Sequence, residues 1–185
     1  MKKQVTAFIC IIVFNFEAIF ASTDFSFKRY QVEDRLSHNT TWCSIQDSYG
    51  FLWIGTSDGL NCYDGCGNRV YRNALNNKYS LGNNFVSSLL EEGENIWVGT
   101  NSGLYIYDRS TDRFSYFNET TRYGVFVSSE VKKIIKTQSG LIWIATLGQG
   151  VFIYEPVTGV LTQNSIHTSF VWDICQSADS RIYVS

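Results

Sequence analysis

Acid–base chemistry in this chain would fall to Asp58, Glu91, Glu92, Glu94 and Glu130, thiol chemistry to Cys43, Cys62, Cys66 and Cys175, and imidazole chemistry to His38 and His167. A retaining glycosidase needs two carboxyl groups roughly 5 Å apart, one of them with a raised pKa. Turn chemistry or a solvated surface accounts for each of these carboxylates, so no catalytic pair is expected. Neither histidine has partner ligands at a helical or hairpin spacing, and both read as polar loop residues. The CxxxC pair Cys62 and Cys66 lacks histidine neighbours and is a poor zinc signature. In an oxidising compartment it would bridge across a tight turn; unpaired packing thiols are the other reading, and the spacing leaves both open. The sequence leads to no expected catalytic residue, metal or cofactor.

Residues with so little reactivity serve shape or recognition, and composition indicates the shape. The 185 residues fit one domain on a prior of roughly 100–200 residues each. With 44% hydrophobic and 17% charged residues, the chain can build a core. Its 13 Phe, 11 Tyr and 5 Trp, against one Pro and one Met, favour half-buried pleated surface, so an all-β protein is expected. Lys and Arg number 15 against 17 Asp and Glu, a net charge of −2. The cations are scattered, so nucleic acid is not an expected partner. Residues 1–21 open on Met1-Lys2-Lys3 and run through a mostly apolar stretch, Val5 to Phe16, to a small residue at Ala21, the pattern of a cleaved signal peptide. The stretch is shorter than the roughly 20 residues of a membrane span, and Glu17 interrupts its end. Cys10 lies inside the stretch rather than at its end, which argues against a lipid-bearing cysteine. The chain is expected to be exported.

The segment GFLWIGTSDGLNCYD at 50–64 recurs as ENIWVGTNSGLYIYD at 94–108 and, with one extra turn residue, as GLIWIATLGQGVFIYE at 140–155. Trp53, Trp97, Trp143 and Tyr183 are the equivalent positions, separated by 44, 46 and 40 residues. A period of about 40–45 residues with several short strands per copy predicts a β-propeller. The second copy reads as strands at Phe85–Glu91, Asn95–Gly99, Gly103–Tyr107 and Asp112–Phe117. Trp97 and Gly99 then share one face, Ile96 and Val98 the other, and both are apolar because blades stack. Gly55, Gly99 and Ala145 are small where a neighbouring sheet comes close. Ser57-Asp58-Gly59 and Asn101-Ser102-Gly103 supply tight hairpin turns.

The expected organisation is a signal peptide at 1–21, an N-terminal segment at 22–36, and an incomplete propeller at 37–185. Phe25–Tyr30 in the N-terminal segment resembles an orphan outer strand that closes a ring. The blades fall at about 37–80, 81–125 and 126–167, with a partial one at 168–185. About three and a half four-stranded blades leave apolar faces and strand edges open. This predicts the N-terminal piece of a longer protein, or a truncated reading frame.

The run Ile45-Gln46-Asp47-Ser48-Tyr49-Gly50-Phe51-Leu52-Trp53-Ile54-Gly55-Thr56-Ser57-Asp58-Gly59-Leu60 closely resembles the two-component regulator propeller repeat. The resemblance extends over nearly all of 24–185, and RYQVEDRLS at 29–37 is similar to the segment before the first blade of such proteins. The departures are Ala145 for glycine, the longer turn Leu147-Gly148-Gln149-Gly150, and Tyr183 for tryptophan. The resemblance implies the N-terminal part of a periplasmic sensor in a hybrid two-component system, recognising an oligosaccharide or another small polar ligand. Members of that family continue through a second propeller, a β-sandwich, a membrane helix, a histidine kinase, a receiver and a DNA-binding region. The implied partners are therefore the remaining blades, the downstream kinase, and a second copy of the sensor as a homodimer.

In a propeller, the connections between blades and the turns between second and third strands share one end of the ring. Candidate ligand contacts at that end are the polar Ser57, Asp58, Asn83, Asn84, Asn101 and Glu130. Trp42, Phe85 and Trp172 offer apolar platforms for the C–H faces of a sugar. The competing account has these aromatics filling the packed centre of the ring. Two other functions compete with sensing: an exported propeller enzyme of glycoside hydrolase type, and an interaction propeller without signalling. Asp47-Ser48-Tyr49-Gly50-Phe51-Leu52-Trp53 is similar to the Asp box of sialidases, but its spacing is DxxGxxW and that box shapes a turn rather than catalysing.

Overall fold

Alternating apolar residues punctuated by turn glycines lay each copy of the repeat down as an antiparallel four-stranded meander. The computed structural model describes residues 27–119, 125–164 and 168–185, so the expected leader lies outside it. The first sheet is β1 (Thr41–Gln46), β2 (Leu52–Thr56), β3 (Gly59–Tyr63) and β4 (Asn68–Tyr71). The second is β5 (Val86–Glu92), β6 (Asn95–Thr100), β7 (Gly103–Asp108) and β8 (Arg113–Tyr116), within one residue of the expected bounds. The third is β9 (Glu130–Lys136), β10 (Ile142–Leu147), β11 (Gly150–Glu155) and β12 (Val160–Asn164). A two-stranded sheet follows, β13 (Ile174–Gln176) with β14 (Ile182–Val184). Residues 27–30, part of the segment expected to form an outer strand, carry no strand, because no described sheet edge pairs with them. Phe25 and Ser26 lie outside the described residues.

The three copies share one register: Trp53 pairs with Cys62, Trp97 with Ile106 and Trp143 with Ile153. A buried threonine closes each turn between second and third strands. Thr56 Oγ1 donates to the Gly59 carbonyl at 2.9 Å, Thr100 to Gly103 at 2.9 Å and Thr146 to Gly150 at 2.8 Å. Each hydroxyl also accepts an amide hydrogen from inside its turn, from Asp58, Ser102 and Gln149 respectively. The longer third turn keeps the same device with one more residue in it.

First strands lie innermost: β1 rests against β5, β5 against β9 and β9 against β13. Trp97 packs forward on Val131 and Ile134 of the third sheet, while Ile96 and Val98 face back toward Trp53 of the first. This is the two-faced burial that the repeat predicts. A Cβ on Gly55 would lie 2.6 Å from Val86 Cγ1, and one on Gly99 2.7 Å from Val131 Cγ1. In the third copy Ala145 packs with Val171 and Ile174. Two inner-strand side chains reinforce the contacts, for Ser88 Oγ accepts from Ile134 N at 2.9 Å and Ser87 Oγ donates to the Val131 carbonyl.

At the end of the ring carrying the β1–β2 turn, charge joins the first two sheets. The buried Asp47 accepts from Trp53 Nε1 at 2.7 Å and from the amides of Tyr49 and Phe51. Arg109, from the β7–β8 turn, reaches Asp47 at 3.0 Å and Glu91 at 2.8 Å, and Glu91 accepts from Ser48. Burial opposes ionisation of Asp47, but the hydrogen bonds from Trp53, Phe51 and Arg109, with the charge of Arg109, hold its pKa below the ordinary range. Glu91 is likewise lowered by Ser48 and Arg109 against the effect of burial.

Overpacking predicts that Gly99→Ala destabilises the chain by about 1–3 kcal/mol, read as a lower Tm, with partial recovery when Val131→Ala is added. Arg109→Ala leaves Asp47 buried without its cation and should cost about 2–4 kcal/mol, toward the lower part of the range for broken buried pairs because Glu91 is only partly buried. Because folding lowers both carboxylate pKa values, the stability from this cluster is complete above the unfolded values of about 4 and is lost as pH falls through the folded ones. Thermal melts of wild type and Asp47→Asn between pH 3 and 7 should converge at the acid end.

Candidate functional site

Every inner strand holds one residue more than its partner strand at the end where it enters the sheet. Thr41 pairs with Thr56 and Cys43 with Gly55, leaving Trp42 between them as a β-bulge. Ser87 is the extra residue between Val86 and Ser88, and Lys132 between Val131 and Lys133. In the fourth sheet Trp172 N donates to the Ser185 carbonyl while Ser185 N donates to Asp173, so Trp172 and Asp173 share one partner. Bulges bend a strand and re-aim its side chains. Here they present Trp42, Lys132 and Trp172, with Phe85, to one cavity of about 510 Å3 between the inner strands.

Trp42 and Trp172 are 54% and 63% exposed at the wall of this cavity. Trp42 donates from Nε1 to Ser57 Oγ at 2.9 Å and lies 5.1 Å from Phe85, ring centre to ring centre. Across the cavity, Lys132 Nζ stands 4.8 Å from the centre of the Trp172 ring and pairs with Glu130 at 2.5 Å. Ser44, Lys133 and Asp173 add polar groups to the wall. Cys43 also lines it, but burial pushes its thiol up to about 12 and keeps it neutral.

Of the nine candidate contacts, the structure brings Trp42, Phe85 and Trp172 to the cavity wall, with Ser57 and Glu130 behind them as partners of Trp42 and Lys132. The others serve the fold. Asp58 pairs with Arg72 at 3.2 Å and accepts from Asn84, whose carbonyl in turn accepts from Gly59 N. Asn83 accepts from the Phe85 amide within its own turn, and Asn101 lies exposed in the β6–β7 turn. Lys132, Lys133 and Asp173 escaped sequence reasoning. Aligning the first strands of all copies would have found them, since Trp42, Ser87, Lys132 and Trp172 fall in one column.

The reactive groups are otherwise committed. Glu92 pairs with Lys136 at 2.6 Å, and Glu94 accepts from Tyr49 at 2.9 Å. His38 Nδ1 accepts from Thr40 N, and His167 lies outside the described residues. Cys62 and Cys66 form no bridge: Cys62 points into the packed face beside Trp53 while Cys66 is exposed in the β3–β4 turn. Burial raises the Cys62 thiol to about 11, as suits a packing residue.

Residues 35–58 and 80–102 match the model of the two component regulator propeller family. Histidine kinase P4 of Formosa agariphila is 41% identical over 66 residues, which is 34% of this chain and 5% of the kinase. Among solved structures, the extracellular domain of a hybrid two component system from B. thetaiotaomicron superimposes with a TM-score of 0.73 at 24% identity, over 85% of this chain and 23% of that one. The extracellular domain of a one component system from the same organism gives 0.59 at 23% identity, over 78% and 19%. Streptogramin B lyase gives 0.56 at 12% identity, over 78% and 47%. The chain thus spans less than a quarter of the first two structures and a small part of the kinase, and likeness at these identities shows the fold. By its repeats and its stacked four-stranded sheets the chain has a β-propeller fold, and over residues 35–58 and 80–102 it is similar to the two component regulator propeller family.

Proposed function

We propose that this chain is the ligand-sensing N-terminal part of an exported two-component sensor, and that its axial cavity recognises carbohydrate. The two half-open tryptophans facing one cavity carry this reading. A pyranose presents C–H faces that stack on indole rings and hydroxyls that need convergent polar partners, and the wall supplies both. The leader-like sequence at 1–21 and the extracellular setting of the structural relatives support a periplasmic location. A downstream kinase would respond only if ligand binds two arrangements of the sensor with different affinity, as when it shifts the packing of paired sensors.

An enzymatic role has less behind it. The likeness to a lyase is one of fold, and the carboxylates that would do acid–base work are held by Arg72, Arg109, Lys132 and Lys136. Isothermal calorimetry of the exported region against a panel of glycan fragments tests the proposal. Binding of at least one fragment is expected, with Trp42→Ala and Trp172→Ala each weakening it about tenfold or more, or ~1.4 kcal/mol. Folded protein that binds none of the panel, or binding indifferent to both tryptophans, would overturn it.

A further inference from the structure

Resting on that reading of the cavity, we infer that the saccharide it selects is anionic, and that Lys133 holds the anionic group. Cys43, Ser88, Lys133 and Asp173 occupy the same place in their strands, the residue just after the bulge. In the first two copies this position ties one inner strand to the next. Cys43 Sγ lies 3.9 Å from the Val86 carbonyl, and Ser88 Oγ accepts from Ile134 N at 2.9 Å. In the third copy a lysine replaces that tie. No hydrogen bond or ion pair engages Lys133 Nζ among the described residues, and the side chain is exposed at the cavity wall.

Lys132 is balanced by Glu130 and Cys43 is neutral, while Asp173 Oδ1 accepts from Ile174 N at 2.9 Å and its carboxylate forms no ion pair with Lys133. Lys133 and Asp173 thus stand on one wall as a cation and an anion outside each other's ion-pair reach, and the cation is the group that an anionic saccharide would engage. A carboxylate or sulfate supplies a charge-assisted hydrogen bond roughly twice as strong as the one a sugar hydroxyl offers. A lysine, as a point charge, takes either anion without demanding the paired geometry of a guanidinium. An oligosaccharide stacked on Trp42 or Trp172 would carry such a group toward Lys133 along the same wall.

The test titrates the exported region with trigalacturonate, its carboxyl-reduced neutral counterpart, and a sulfated galactose oligomer. Tryptophan fluorescence and calorimetry report binding, and circular dichroism confirms the fold. Trigalacturonate, the sulfated oligomer or both should bind at least tenfold more tightly than the neutral sugar, and the two charged arms separate carboxylate from sulfate. Raised salt should narrow the preference, and Lys133→Gln should reduce it to within about twofold. Equal affinity for charged and neutral sugars overturns the inference while leaving carbohydrate recognition standing. Preference for charge that survives Lys133→Gln removes Lys133 from the role. Binding of none of the three by folded protein overturns the anion preference, and the sugar reading falls with it only when the wider panel of glycan fragments also fails to bind.

Discussion

No sheet in this chain can hide both of its faces, and the close approach of one sheet to the next is the condition on which everything else rests. It is met at one point per interface, where a residue without a side chain, or with only a methyl, receives a valine: Gly55 and Val86, Gly99 and Val131, Ala145 and Val171. Burying apolar surface on both sides of a four-stranded meander recovers what so small a unit could not bury alone. The conserved register of the tryptophan two residues earlier follows from it, since Trp53, Trp97 and Trp143 sit on the same face as the small residue and fill the wider part of the gap.

Around that common contact, each interface finds its own way to satisfy the turn between first and second strands. Ser48 donates to Glu91 of the next inner strand, and Gln138 donates from its amide to Gln176 at 2.9 Å. At the middle interface the equivalent residue is Lys136, which has no acceptor to offer. There the end of β5 contributes the anion, Glu92, at 2.6 Å. The polarity is reversed and the join persists. The Asp47–Arg109–Glu91 cluster is the elaborate form of the same join, and it is the one that makes the first interface sensitive to acid.

The strand bounds were legible because period-2 alternation and turn residues are local signals, and the stacking of blades was legible because Gly55, Gly99 and Ala145 recur at one register. Trp42, Phe85 and Trp172 stood out as large aromatics at the end of the ring where connections gather, and the structure places them on the wall of one cavity. What alternation hides is the bulge. One extra residue reverses which side chains face the axis, so Lys133 and Asp173 read as ordinary strand positions until the ladder is seen. Asp58, Asn83 and Asn84 read as free polar groups in the sequence, whereas in the structure they hold the turns that bring the aromatics forward. The outer strand expected near Phe27 depends on a sheet edge elsewhere in the ring, which no local pattern specifies.

The bulge also separates two kinds of evolutionary demand. Its extra residue has no opposite number in the ladder and makes no part of the contact between small residue and valine, so Trp42, Ser87, Lys132 and Trp172 can differ in size and charge while the sheets beneath them stay superimposable. Side chains in this single column can therefore be exchanged for others of different size and charge while the contact between small residue and valine keeps its geometry.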